Sequence, residues 1–173
     1  IGLIITRCYA LKELYCGNNT FYGIQISGFW LNVLDLSGCP NLNHLTCKKN
    51  DLVSLDVSNC PKLEEFNCNE NRLTSLNVSG CTVLPEIYCQ NNKLSTLYIE
   101  NCPALETIYC DYNELTRLVA SESFVGCGSL EKIYCSYNEL TEIDLSGSSI
   151  TGIDCSYNKL TEIDLSGCTS ITG

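Results

Sequence analysis

The stretch "IYCSYNELTEIDLSG", Ile133–Gly147, returns twenty residues later as "IDCSYNKLTEIDLSG", Ile153–Gly167. Working outward from it, a unit L-x-x-L-x-C-x-x-N-x-L-x-x-L-x-L-S-G-C-P-x begins at Leu42, Leu63, Leu84 and Leu105, a period of 21 residues. It resumes at Leu130, Ile150 and Ile171. The interval from Leu105 to Leu130 is four residues longer than the period, with the surplus near Ser121–Phe124. The interval from Leu130 to Ile150 is one short, because the proline position after Ser148 is lost. A fixed period of this length marks a stack of coils, each too small to bury its own apolar face.

One unit maps onto one coil. In "LxxLxCxxN" the second leucine and the cysteine are two apart and point to the same side of a strand. In "LDLS" Leu34 and Leu36 point inward and Asp35 outward. Parallel strands stacked roughly 4.8 Å apart give about eight coils and a rod on the order of 40 Å long. Residues 1–173 read as a single array. Toward the N-terminus "LKELYCGNN" (11–19) starts a unit and "LNVLDLSGCPN" (31–41) ends one. "TFYGIQISGFW" between them predicts an extra half-unit and a local irregularity.

The fourteen cysteines form two series. Cys16, Cys47, Cys68, Cys89, Cys110, Cys135 and Cys155 stand before the asparagines; Cys8, Cys39, Cys60, Cys81, Cys102, Cys127 and Cys168 precede them by about half a coil. Where the second series should have a member before Cys155, Ser148 stands instead. A required disulfide does not leave one partner as serine, so the columns read as core ladders of small apolar groups. Zinc is the sharper alternative, but it wants C-x2-C pairs or close Cys/His clusters, and His44 is the only histidine. Interstrand disulfides at ladder spacing stay open, interrupted by Ser148 and, in one register, by Ile26. The asparagines Asn19, Asn50, Asn71, Asn92, Asn113, Asn138 and Asn158 are expected to turn inward and bond backbone groups at the bend.

The leucine spacing, the recurring asparagine and the short period together resemble the leucine-rich repeat family over nearly the whole chain. The resemblance implies a leucine-rich repeat solenoid, a β-rich right-handed coil with parallel strands and little helix. "FVGCGSLEKI" (124–133) is similar to BspA-like surface repeats of bacteria, and the whole resembles the surface repeat proteins of Bacteroidetes, BspA-like or internalin-like. That implies a non-catalytic recognition module at a bacterial cell surface, with a protein or carbohydrate ligand.

Outward positions carry the candidate site. One column runs Tyr15, Thr46, Asn67, Tyr88, Tyr109, Tyr134, Asp154; another runs Asn18, Lys49, Glu70, Asn91, Tyr112, Tyr137, Tyr157. The tyrosines gather in the C-terminal half, beside Glu86, Asp111, Lys132 and Asp154. A tyrosine offers a rigid apolar body and a hydroxyl tip, suited to a protein partner or to stacking on sugar rings. Cross-strand stabilisation explains the same columns equally well. The ligand-binding candidates are therefore Tyr88, Tyr109, Tyr134, Tyr112, Tyr137, Tyr157, Asp111, Lys132 and Asp154. The opposite columns, Asp35, Asp56, Asp144, Asp164, Glu142 and Glu162, read as a solvated acidic edge, with calcium as the alternative.

Other functions are disfavoured. A net charge of −10 does not suit nucleic-acid phosphates. No apolar run approaches the ~18 residues of a membrane span. No catalytic triad, G-x-S-x-G, H-E-x-x-H or phosphate loop occurs, and no cofactor is expected. Ile1 is not Met, Arg7 interrupts any signal-peptide core, and "GCTSITG" breaks off as a unit begins, so the chain reads as a segment of a longer protein. A structural spacer within such a protein is the other reading.

Overall fold

The computed structural model describes residues 2–4, 10–16, 20–21, 24–25, 31–58, 60–119, 123–168 and 171. Strands are numbered in chain order. β1 (Gly2–Ile4) is followed by β2 (Glu13–Tyr15), β3 (Thr20–Phe21), β4 (Ile24–Gln25), β5 (Val33–Asp35) and β6 (His44–Thr46). Strands then alternate between two faces of the coil. β8 (Glu65–Asn67), β10 (Glu86–Tyr88), β12 (Thr107–Tyr109), β14 (Lys132–Tyr134) and β16 (Gly152–Asp154) join β2 and β6 in one seven-stranded parallel sheet. The second face carries β7 (Ser54–Asp56), β9 (Ser75–Asn77) and β11 (Thr96–Tyr98) as one group, and β13 (Arg117–Val119), β15 (Glu142–Asp144) and β17 (Glu162–Asp164) as another. The expected solenoid with parallel strands and almost no helix is the observed architecture.

Each coil is built from the alternation read above. Between residues 63 and 81, Leu63, Phe66, Cys68, Leu73, Leu76, Val78 and Cys81 are fully buried. Both cysteine series lie in this core, and all thirteen described cysteines are free thiols. Several thiols also bond across coils: Cys89 Sγ donates to Tyr109 O at 3.3 Å, and Cys102 Sγ to Val78 O at 3.2 Å. The third side of the coil is a run of tight turns. Cys60 N–H bonds Val57 O at 2.9 Å and Leu63 N–H bonds Cys60 O at 3.1 Å, with the cysteine side chain fully buried. Ser148 fits the same place, with its Oγ donating to Leu145 O at 2.7 Å and lying 3.5 Å from Cys168 Sγ.

The asparagines close the corner after each first-face strand. Asn92 Nδ2 donates to Cys68 O of the preceding coil at 3.2 Å and to Cys89 O of its own at 3.1 Å. Its Oδ1 accepts Leu73 N–H at 3.0 Å. Asn50, Asn71, Asn113, Asn138 and Asn158 repeat the arrangement. Asn19, with Cys8, Asn18 and Ile26, lies outside the described residues.

The predicted irregularity takes the form of an antiparallel pair, β3 with β4, in an otherwise parallel molecule. It is an excursion from the coil. β2 pairs directly with β6, and Leu31 N–H reaches Asn50 Oδ1 at 3.0 Å, the bond that Leu52 makes with Asn71 and Leu73 with Asn92. The longer interval after Leu105 is likewise absorbed at the end of β13. Val119 still pairs with Asp144, and Phe124 fills the core place held by Ile99 one coil earlier.

Two outcomes test this packing. Asn92→Ala should lower stability by about 1–3 kcal/mol in urea unfolding, because it leaves Leu73 N–H unpaired inside the stack and takes one of two donors from Cys68 O and from Cys89 O, which Asn71 and Asn113 still reach; an unchanged midpoint would refute the corner's role. The thiols make the second. Burial pushes Cys16 and Cys81 up to about 12 and Cys60 up to about 11, against an ordinary 9.0. Below pH 9 both folded and unfolded chains hold these protons, and the contribution is complete. Above it the unfolded chain ionises first, so stability should fall from pH 9 to pH 11 as the folded thiols approach their own titration. A flat urea midpoint over that window would show that the thiols are not buried.

Candidate functional site

The first sheet brings the predicted tyrosines into two stacks. Parallel register sets Tyr88 beside Tyr109 and Tyr109 beside Tyr134. Their ring centroids are 4.8 and 4.9 Å apart, with planes 5° and 3° from parallel. Three residues further along each coil, Tyr112, Tyr137 and Tyr157 stack at 4.4 and 4.2 Å. Coil spacing fixes these distances, since neighbouring strands lie about 4.8 Å apart.

The two stacks differ in exposure and in backbone. Tyr88, Tyr109 and Tyr134 are half-buried, standing on strands. Tyr112, Tyr137 and Tyr157 are 50, 40 and 71 % exposed and stand at the corner. Their φ angles are 55°, 53° and 54°, in the left-handed region, as are those of Lys49, Glu70 and Asn91 above them in the same column. A side chain with a Cβ is disfavoured there by roughly 1–2 kcal/mol, and asparagine least of all. Sequence reading missed this conformation. Asn91 in the column, and Asn18 before it, were the available signal.

Each ring face inside a stack is covered by its neighbour. What points outward is a row of ring edges and hydroxyls. Among the described residues a face is left uncovered by another ring only at stack ends: on Tyr88 toward Asn67, on Tyr134 toward Asp154, on Tyr112 toward Asn91, and on Tyr157 away from Tyr137. Tyr88 Oη donates to Glu86 Oε2 at 2.5 Å, and that bond, with partial burial, pushes the phenol up to about 12. Burial and the nearby Glu86 carboxylate raise Tyr109 as well. The Tyr157 hydroxyl beside Tyr137 pushes it up to about 12. The Tyr88, Tyr109 and Tyr137 hydroxyls therefore stay protonated through neutral pH.

The charged candidates divide. Lys132 is exposed on β14, next to the tyrosines. Asp111 is instead a clamp between coils: its Oδ1 accepts Ser136 N–H at 3.0 Å and Ser136 Oγ–H at 2.8 Å. Asp154 Oδ1 accepts the Ser156 hydroxyl and N–H at 2.6 and 3.0 Å, which holds its carboxyl below the usual range. On the second face Asp35, Asp56, Asp144 and Asp164 each accept the N–H two residues on, closing the next turn. Glu142 pairs with Arg117 Nε at 3.0 Å. Among the described residues no group of three His, Cys, Asp or Glu side chains could hold a metal ion, and no helix is long and apolar enough to cross a membrane.

No family model matches the sequence, and no curated protein matches it. Solved structures do. The functional domain of InlJ from Listeria monocytogenes, which includes a cysteine ladder, is 34 % identical over 95 % of this chain, with a TM-score of 0.71. The chain spans 34 % of that protein's length. YopM, a leucine-rich effector protein from Yersinia pestis, aligns with 79 % of this chain and 55 % of its own at 21 % identity and a TM-score of 0.46. With this similarity, the thiol columns, corner asparagines and parallel stack lead to one assignment: the chain is a leucine-rich repeat solenoid with repeats of about 21 residues, similar to bacterial leucine-rich repeat proteins.

Proposed function

We propose that this chain is a non-catalytic binding module that recognises a protein partner through the tyrosine-bearing face of its first sheet, outside or on the surface of a bacterial cell. The observation that carries the reading is the corner stack. Three tyrosines hold a backbone conformation that disfavours them, in a column where asparagine also occurs, and remain largely exposed. A purely structural corner would be better served by asparagine or glycine. Exposed aromatic residues with fixed rotamers lose little side-chain entropy on contact, and tyrosine is enriched where proteins meet.

The ring geometry weighs between the two ligand classes. A sugar stacks on a ring face, and most faces here are covered by the next tyrosine. A protein surface can use what is offered: hydroxyl donors and apolar edges repeated every 4.2–4.9 Å. A glycan keeps a foothold at the stack ends, on Tyr88, Tyr112, Tyr134 and Tyr157. Lys132 would supply the one cation beside the rings among the predicted site residues.

A variant can separate binding from stability because the corner prefers asparagine. Tyr112→Asn, Tyr137→Asn and Tyr157→Asn together remove two stacked contacts, worth about 0.5–1.5 kcal/mol each, while relieving three strained corners. The melting temperature should stay within about 3 °C of the parent. Binding should be lost in a screen of surface-protein and glycan arrays run with parent and variant side by side. Equal binding by both would overturn the corner tyrosines as the binding site, and no saturable ligand for the parent would favour a spacer over a recognition module.

A further inference from the structure

The first sheet runs unbroken from β2 to β16, but β11 and β13 lie in neighbouring coils of the second face without pairing. The missing bonds can be named from coils that have them. Val57, Val78 and Leu145 N–H donate to Asn77, Tyr98 and Asp164 carbonyls at 3.1, 3.0 and 2.8 Å. Ile99 N–H and Val119 C=O hold the corresponding places and, among the described residues, make no such bond. At the start of the strands Ser95 N–H reaches Thr74 O and Thr141 N–H reaches Thr116 O, yet Thr116 N–H and Ser95 O do not meet.

The opening is shut at both ends. Glu114 N–H bonds Leu94 O at 3.0 Å on one side, and Asn101 N–H bonds Val125 O at 2.8 Å on the other. Gly126 keeps the second closure tight, since a Cβ there would come within 2.8 Å of Asn101 Oδ1. Between the closures lies a slit of about 310 Å³ lined by β11, β13 and Ser123. Its lining departs from the repeat in two ways. Leu97 is only half-buried, whereas its counterparts Leu55, Leu76 and Ile143 are 4, 0 and 0 % exposed. Val119 stands in the column of Asp56, Asn77, Asp144 and Asp164, but unlike them it is apolar and buried, 6 % exposed.

We infer that this slit receives a short extended segment of a partner protein, which lies between β11 and β13 and adds a strand to the second sheet. Two facing strand edges ask for a ligand with donors and acceptors on both sides at ladder spacing, and a polypeptide backbone supplies them. Seating a strand sets the edges roughly 9.6 Å apart, twice the ladder spacing. Alternation then fixes the side chains. A residue facing inward packs on Leu97 and Leu118 and must be apolar. The next faces the opposite way, between exposed Tyr98 and buried Val119. β11 and β13 are three residues long, so the recognised segment is about four residues. This site is on the second face and does not depend on the tyrosine stacks.

Amide exchange followed by NMR on the whole chain reads the site directly. The probes are the blocked pentapeptide acetyl-Thr-Val-Thr-Val-Thr-amide and its analogue N-methylated at both valines. In the free protein the Ile99 amide should exchange at least tenfold faster than the Val57 and Val78 amides. Saturating peptide should slow Ile99 at least tenfold, and the N-methylated analogue should not. Val119→Asn, which installs the residue found at Asn77 in the same column, should weaken the peptide's effect at least tenfold while leaving the Val57 and Val78 amides protected. An Ile99 amide already as protected as Val78 would mean that the slit closes on itself and would overturn the inference. So would an absence of protection at millimolar peptide, or equal protection by the N-methylated analogue.

Discussion

One carboxamide per coil is bonded to two windings at once, and the rest of the structure is arranged around that bond. Asn92 holds carbonyls of its own and the preceding coil while accepting an N–H from the latter. A displaced coil would leave several buried polar groups unpaired, so this corner fixes register more firmly than the apolar core could. The bond survives changes in coil length. Its acceptor and donor are nineteen residues apart in Asn92, twenty-three in Asn138 and eighteen in Asn158. Insertions and deletions are therefore displaced to the far side of the coil. The first sheet stays continuous across the four-residue surplus, and the second breaks there between β11 and β13.

The same axial repeat gives the tyrosines a double character. Any aromatic residue occupying an outward position in consecutive coils must stack, because the coils stand one ring thickness plus a small offset apart. Stacking stabilises the solenoid and orders the rings before any partner arrives. It also restricts what the rings can offer, since faces spent on neighbours are unavailable to ligands. Stabilisation and recognition were rival explanations of the columns at the level of sequence. In three dimensions the two stacks differ by position: the strand stack is half-buried, and the corner stack is exposed on a left-handed backbone.

Periodicity made the coil legible. Leucine and cysteine two residues apart had to share a side, and the repeated asparagine had to find backbone partners, so core and corner could be read without coordinates. The hairpin at β3–β4 could be anticipated only as a misfit, because "TFYGIQISGFW" preserves enough of the leucine pattern to imitate half a coil. Asp111 and Asp154 were legible as charged outward residues, whereas Ser136 and Ser156 as hydrogen-bond partners of one oxygen of each were not. The left-handed corner escaped for a similar reason. Lys49, Glu70 and Tyr112 are poor markers of that conformation, which the stack imposes through the bonds of the next residue, the inward asparagine.

A repeat that forces errors to one side also divides labour between its faces. On the first face regularity is enforced, so side chains there form columns, and their chemistry changes only gradually from coil to coil. Such a face suits extended contact with a partner surface. On the second face the four-residue surplus before Phe124 separates two otherwise compatible strands and leaves Leu97 without its usual cover. A solenoid has few means of making a discrete pocket, because every coil resembles the last. Lengthening one coil on the permissive side is a means that leaves the asparagine corner, and with it the stability of the stack, undisturbed.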